Sequence, residues 1–169
     1  NNDPISNFCI LDLYICLTVN GRRNPSASQE FLEINFMKNF IFCFLIFIGL
    51  DLIWFQVFMK SFATEQLGFH LQTSPDGSLQ ANVLAAVLAY LCMTVLFHFF
   101  MAPTIKELST QKALLSAAIF GLMIFGVFDL TNLALLKSYP IKFVVVDMLW
   151  GFFLFPSTYY ILKLIGTKS

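Results

Sequence analysis

Hydrophobic residues along this chain fall into four long blocks separated by polar links, at about residues 40–59, 82–101, 113–136 and 141–164. Each block holds roughly 20 residues, which at a rise of ~1.5 Å per residue crosses a ~30 Å hydrocarbon layer. Within each block the apolar side chains surround the whole helix and form no single stripe. That is the pattern of a segment solvated by lipid, not of an amphipathic surface helix. The spacing predicts an all-α integral membrane protein, an up-down bundle of four transmembrane helices.

The links carry turn chemistry. Ser74-Pro75-Asp76-Gly77 breaks the polar stretch 60–80. Met101-Ala102-Pro103 closes the second block, with Lys106 and Glu107 in a short polar connection. Lys137-Ser138-Tyr139-Pro140 reads as a tight hairpin whose proline opens the fourth helix. Links this short force antiparallel neighbours. Arg22, Arg23, Lys38, Lys106, Lys112, Lys163 and Lys168 then fall on one side, and Lys60, Lys137 and Lys142 on the other. Seven basic residues against three place both termini in the cytoplasm.

Residues 1–36 read as an N-terminal extension to a transmembrane domain at 37–169. Met37-Lys38-Asn39-Phe40 has the look of a start just before the first block. The stretch 5–19 is apolar but short, is broken by Asp12, and has no basic region before it as a signal peptide would. Two readings stay open: an extension that is not native to the protein, or a peripheral membrane-associated segment.

Composition agrees with lipid as the solvent. Hydrophobic residues make up 58% of the chain and charged residues 12%, and 21 of the 169 residues are phenylalanine. A water-exposed surface bearing that much aromatic area would aggregate. Membrane lipids are therefore the expected surroundings, with a homo-oligomer or a larger membrane complex left open. Formal net charge is zero, and no basic, aromatic-rich segment points to nucleic acid. Cys9, Cys16, Cys43 and Cys92 form no CxxC pair and have no histidine at ligand spacing, so neither a metal site nor a disulfide is expected. No GxSxG, P-loop, GxGxxG or HExxH is present, and no cofactor is expected.

The candidate chemistry lies in three aspartates, Asp51, Asp129 and Asp147, one in each of three blocks. A charged side chain at that depth costs at least a few kcal/mol and normally faces the bundle interior with a partner. Counting from the block ends, all three lie roughly 9–12 Å below the same, outer surface. The fourth block runs opposite to the first and third, so this agreement is not a trivial result of spacing. Asp51-Leu52-Ile53-Trp54 and Asp147-Met148-Leu149-Trp150 share D-x-x-W, and Asp129-Leu130-Thr131-Asn132 has an amide at the same offset. Residues three apart share a helix face, so each acid is expected to have a hydrogen-bonding neighbour on its own helix. Asn82 and Tyr90 are the candidates from the second block.

Two readings compete for Asp51, Trp54, Asp129, Asn132, Asp147 and Trp150. They form either an interhelical hydrogen-bond network that fixes packing, or a site for a proton, a cation or a polar head group. Three carboxylates at close range cannot all be ionised without a cation. His98 lies at the wrong depth to join the acids and reads as an interfacial or packing residue. His70, in the outer link, is more plausibly solvated than folded over them. Gly121, Gly126 and Gly151 permit close helix approach.

In order along the chain, Leu50-Asp51-Leu52-Ile53-Trp54, Phe128-Asp129-Leu130-Thr131-Asn132-Leu133-Ala134 with Lys137 and Pro140, and Val146-Asp147-Met148-Leu149-Trp150-Gly151 resemble the bacterial predicted-membrane-protein family described as domain of unknown function 2177. The resemblance covers about residues 37–165 and implies a four-span protein of the bacterial inner membrane. It supplies no reaction. Three functions stay open: a small transport or ligand-binding component using the acids, a lipid-modifying membrane enzyme or its accessory subunit, and a structural subunit of a larger membrane complex.

Overall fold

The computed structural model describes residues 27–75, 79–105 and 108–166. Helix α1 (Ala27–Trp54) continues through a π-helical turn, Phe55–Met59, into α2 (Lys60–Leu67). Helix α3 (Val83–Val95) continues through a second π-helical turn, Leu96–Met101, into α4 (Ala102–Ile105). Helices α5 (Thr110–Leu135) and α6 (Ile141–Gly166) complete the set. Among the described residues, four stretches are long and apolar enough to cross a membrane: Met37–Leu67, Val83–Ile105, Thr110–Leu135 and Ile141–Ile165. The all-α, four-span architecture expected from hydropathy is the one observed. The chain divides into two compact units, Asn1–Met37 and Lys38–Ser169, and the packing described below is that of the second. Asp76, Gly77, Arg22, Arg23, Lys106, Lys168, Cys9 and Cys16, used in reading the links, the orientation and the cysteines, lie outside the described residues.

The first π-helical turn has a packing reason. Cys43, Phe47, Asp51 and Trp54 face inward at spacings of three and four, and Met59, Ala63 and Leu67 do so at spacings of four. Between Trp54 and Met59 there is one residue too many for an α-helix to keep one face inward. The wider turn absorbs it. The second precedes Pro103, which lacks an N–H and whose ring would clash with the carbonyl of Phe99 in a regular α-helix. Widening the turn at Leu96–Met101 accommodates that, and the amide of Ala102 donates to the Phe97 carbonyl.

One boundary differs from the sequence reading. The stretch after residue 60 was expected to be a link, yet it is helical to Leu67. The first span is 31 residues long, or ~46 Å, well beyond a ~30 Å hydrocarbon layer. Its extra turns are amphipathic. Lys60, Ser61, Thr64 and Glu65 are exposed, while Met59, Ala63 and Leu67 pack against Tyr139, Phe143 and Val144. Average hydropathy hid this stripe because polar residues outnumber apolar ones there.

The spans meet in two different ways. The third and fourth approach backbone to backbone: a Cβ on Gly151 would lie 2.7 Å from the Gly121 carbonyl oxygen, and one on Gly121 would collide with the Gly151 carbonyl. The Lys163 ammonium also donates to the Thr110 hydroxyl at 2.6 Å, tying the start of α5 to the end of α6. The first and second spans are held by bulky side chains. Phe47 packs edge-on to Phe97 at 5.6 Å and against Phe155 at 5.0 Å. Two apolar layers result, one around Phe47, Phe97 and Phe155 and the other around Met59, Tyr139 and Phe143. Trp150 and Tyr90 pack on the first layer, and Trp54 and Met148 on the second. The aspartates lie between the layers.

Gly121→Ala and Gly151→Ala are expected to cost about 1–3 kcal/mol each through overpacking. Gly49→Ala, whose Cβ would meet open space, is expected to leave stability unchanged or raise it by up to ~1 kcal/mol through helix propensity. Thermal unfolding of the purified variants in one detergent checks both.

Candidate functional site

The site begins with antiparallel geometry. The first span and the fourth run in opposite directions, and three residues advance ~4.5 Å along a helix. In D-x-x-W the tryptophan of the first span therefore lies toward the 136–140 link, and that of the fourth toward the opposite side. Asp51 comes level with Trp150, and Asp147 with Trp54. The structure makes the first of these cross-pairs: the Trp150 indole N–H donates to Asp51 Oδ1 at 2.6 Å. From the second span, the Tyr90 hydroxyl donates to Asp51 Oδ2. One carboxylate thus joins three spans.

This corrects the expectation that each acid is bonded by the residue three positions on. Trp150 serves Asp51 and not Asp147, because the indole reaches across to the neighbouring helix and carries its N–H at the far edge of the ring. Trp54 and Trp150 stack face to face, with centroids 4.5 Å apart and planes 3° from parallel. The Trp54 Nε1 is buried and has no hydrogen-bond partner among the described residues.

The other two acids form a second centre. Asp147, half-buried on α6, is close enough to Asp129 for the two carboxyls to bond, and it also feels the charge of Asp51. Asp129 is fully buried on α5. Neither of its oxygens is engaged in a hydrogen bond of ordinary distance and angle, although Asp147 and the phenol of Tyr139 are within reach of it. Among the described residues no basic side chain acts on either carboxyl. Asp147 thus interacts with both of the other acids, while Asp51 is not among the groups that act on Asp129. The three acids do not surround one point: among the described residues no group of three His, Cys, Asp or Glu side chains is placed to hold a metal ion.

Tyr139 is the residue that sequence reasoning passed over. It sits in the link between the third and fourth spans, follows Ser138 at a φ of 61°, and is 9% exposed. Its phenol lies near Asn132, Asp129 and Asp147. Burial, then the Asp129 carboxylate, push its pKa up to about 12. The available signal was its position in the short link that follows Asn132 and leads back to Asp147. Asn132 accordingly turns toward Tyr139 more than toward its own helix's acid. Asn82 caps α3, its side chain accepting from the Ala85 amide at 3.1 Å, and is exposed. His98 packs edge-on to Phe40 at 5.6 Å. His70 is half-buried, with its ring 6.2 Å from that of Tyr139.

Because the chain has only two tryptophans, their stacking is directly observable. Circular dichroism is expected to show an exciton couplet that either Trp54→Phe or Trp150→Phe abolishes. Asp51→Ala leaves two buried donors unmatched and is expected to cost about 1–3 kcal/mol in detergent unfolding.

No curated protein and no solved structure matches the chain. A family model described as predicted membrane protein (DUF2177) matches residues 36–161, most of the chain and all three acid-bearing segments. The chain belongs to this family of multi-pass membrane proteins.

Proposed function

We propose that this chain is a small transport or ligand-binding component of the bacterial cytoplasmic membrane, and that its ligand is a proton held by the Asp129–Asp147 pair. The observation that carries this reading is the orphaned Asp129: a fully buried carboxyl with, among the described residues, no bonded donor and no basic group acting on it. An isolated carboxylate in low dielectric is too costly to persist. Two carboxyls facing each other form a hydrogen bond only when one of them carries a proton, since an ionised carboxylate only accepts. A proton is also the occupant that needs no cavity.

Asp51 has a different role. Tyr90 and Trp150 satisfy both its oxygens, so it anchors the site while Trp54, Trp150 and Asn132 line it. With the Lys/Arg asymmetry setting the orientation, the site faces the outer half of the bilayer. One observation keeps a lipid-directed reading in play: a groove of about 480 Å³ on the third span is lined by Gly126 and Met148, next to the acids.

Infrared titration of the protein in lipid nanodiscs tests the proposal. A protonated-carboxyl band is expected near neutral pH, to disappear on alkalinisation, to be unchanged by sodium or potassium, and to be lost or displaced in both Asp129→Asn and Asp147→Asn. A wild-type protein without any protonated-carboxyl band would end the proton reading. Displacement of the band by a monovalent cation would replace the proton with that cation, and displacement by added phospholipid would favour the groove.

A further inference from the structure

Asp129 is sealed, and what Asp147 leaves open lies within the fourth span, at hydrocarbon depth. Asp129 has no exposed surface, and below it, on the Asp51 side, lie the stacked Trp54 and Trp150 rings and the aromatic layer around Phe47. On the other side the nearest polar group is Tyr139, which lies outside the third and fourth spans, in the link between them. Its ring is fixed on two edges: Phe143 lies 5.9 Å away at 75°, and His70 lies 6.2 Å away at 61°. Its phenol oxygen is within reach of Asp129 and Asn132, while no hydrogen bond of ordinary geometry yet closes on Asp129. The donor is placed beside the orphaned acceptor.

We infer that Tyr139 is the gate of the acid pair, the hydroxyl through which a proton passes between water at the 136–140 link and Asp129. This inference rests on the proton reading of the site. The transfer is balanced at one oxygen. The phenol O–H bond breaks as its proton goes to the Asp129 carboxylate, and the same oxygen takes a replacement proton from water on the link side, so that no phenolate accumulates. Return of the proton reverses the two steps. His70, packed against the ring, is a positioning residue. The groups that face Tyr139 are Asp129 and Asn132 from α5, Asp147 from α6 and His70 from the link beyond α2, whereas Ala63 and Leu67 of α2 present only apolar surface. Lys137 and Lys142, close in sequence, are exposed.

Hydrogen–deuterium exchange of the protonated-carboxyl infrared band, followed in time after a switch to heavy water, separates the gate from the site. Tyr139→Phe keeps the ring and removes the hydroxyl. It is expected to slow exchange by on the order of a hundredfold, with the protonated-carboxyl band and the tryptophan couplet retained. Tyr139→His restores an ionisable group and is expected to recover exchange in a pH-dependent way, which a packing role would not do. Wild-type exchange rates in Tyr139→Phe would overturn the gate while leaving the proton site intact. Absence of the carboxyl band in the wild type would instead remove the site, and the gate with it. If Tyr139→Phe loses the couplet and so fails to fold, the Tyr139→His rate decides alone, with a pH-independent rate overturning the gate.

Discussion

A carboxyl group in hydrocarbon must be matched by a donor, a cation or a proton, and the inner architecture of this protein follows from how three such groups are matched. Asp51 takes two donors, Tyr90 and Trp150, from two other spans. Lipid gives helices little hydrophobic reason to associate, so such bonds and close backbone contact have to set the register. The Gly121–Gly151 approach brings the third and fourth spans together, and that approach places Asp129 beside Asp147. Packing and chemistry therefore share one set of contacts.

The three acids divide the labour between them. The fully bonded Asp51 behaves as a structural anchor, and the Trp54–Trp150 stack carries that anchor from one apolar layer to the other. Asp129, buried and unmatched, is the costly member. Natural proteins retain an uncompensated group where it has work to do, and a proton that comes and goes is the least demanding occupant for so tightly packed a place. The backbone hydroxyl bonds of Thr94 and Thr158, each to the carbonyl four residues earlier, show the ordinary alternative: polar groups matched within their own helix and otherwise inert.

Much of this was legible in the residues, and the gaps have physical causes. The four spans could be read because length and hydropathy are one-dimensional properties. The rough depth of the acids could be read because the helical rise is constant, although Asp51, level with Trp150, lies ~4.5 Å deeper than Asp147, and Tyr90 could be named because the second span offers few polar side chains. The π-helical turns could not, since a helix apolar on every side carries no phase to betray an extra residue. The helical continuation to Leu67 was hidden by the polar face of an amphipathic stripe. The exchange of partners between the two D-x-x-W segments follows from antiparallel geometry, but the rule that residues three apart share a face pointed to the wrong indole. Tyr139 was passed over because a residue in a four-residue hairpin reads as turn chemistry until the hairpin is seen to close over Asp129.

The most direct test of convergence is a carbon–carbon correlation spectrum by magic-angle-spinning NMR on protein in lipid, labelled at the aspartate carboxyl carbons. The chain has only six aspartates, so the signals can be assigned by Asp→Asn replacement. A cross-peak between the Asp129 and Asp147 carboxyl carbons, lost in either single variant, is the result expected if helices α5 and α6 bring the two acids together. Two resolved carboxyl signals with no cross-peak between them would contradict it.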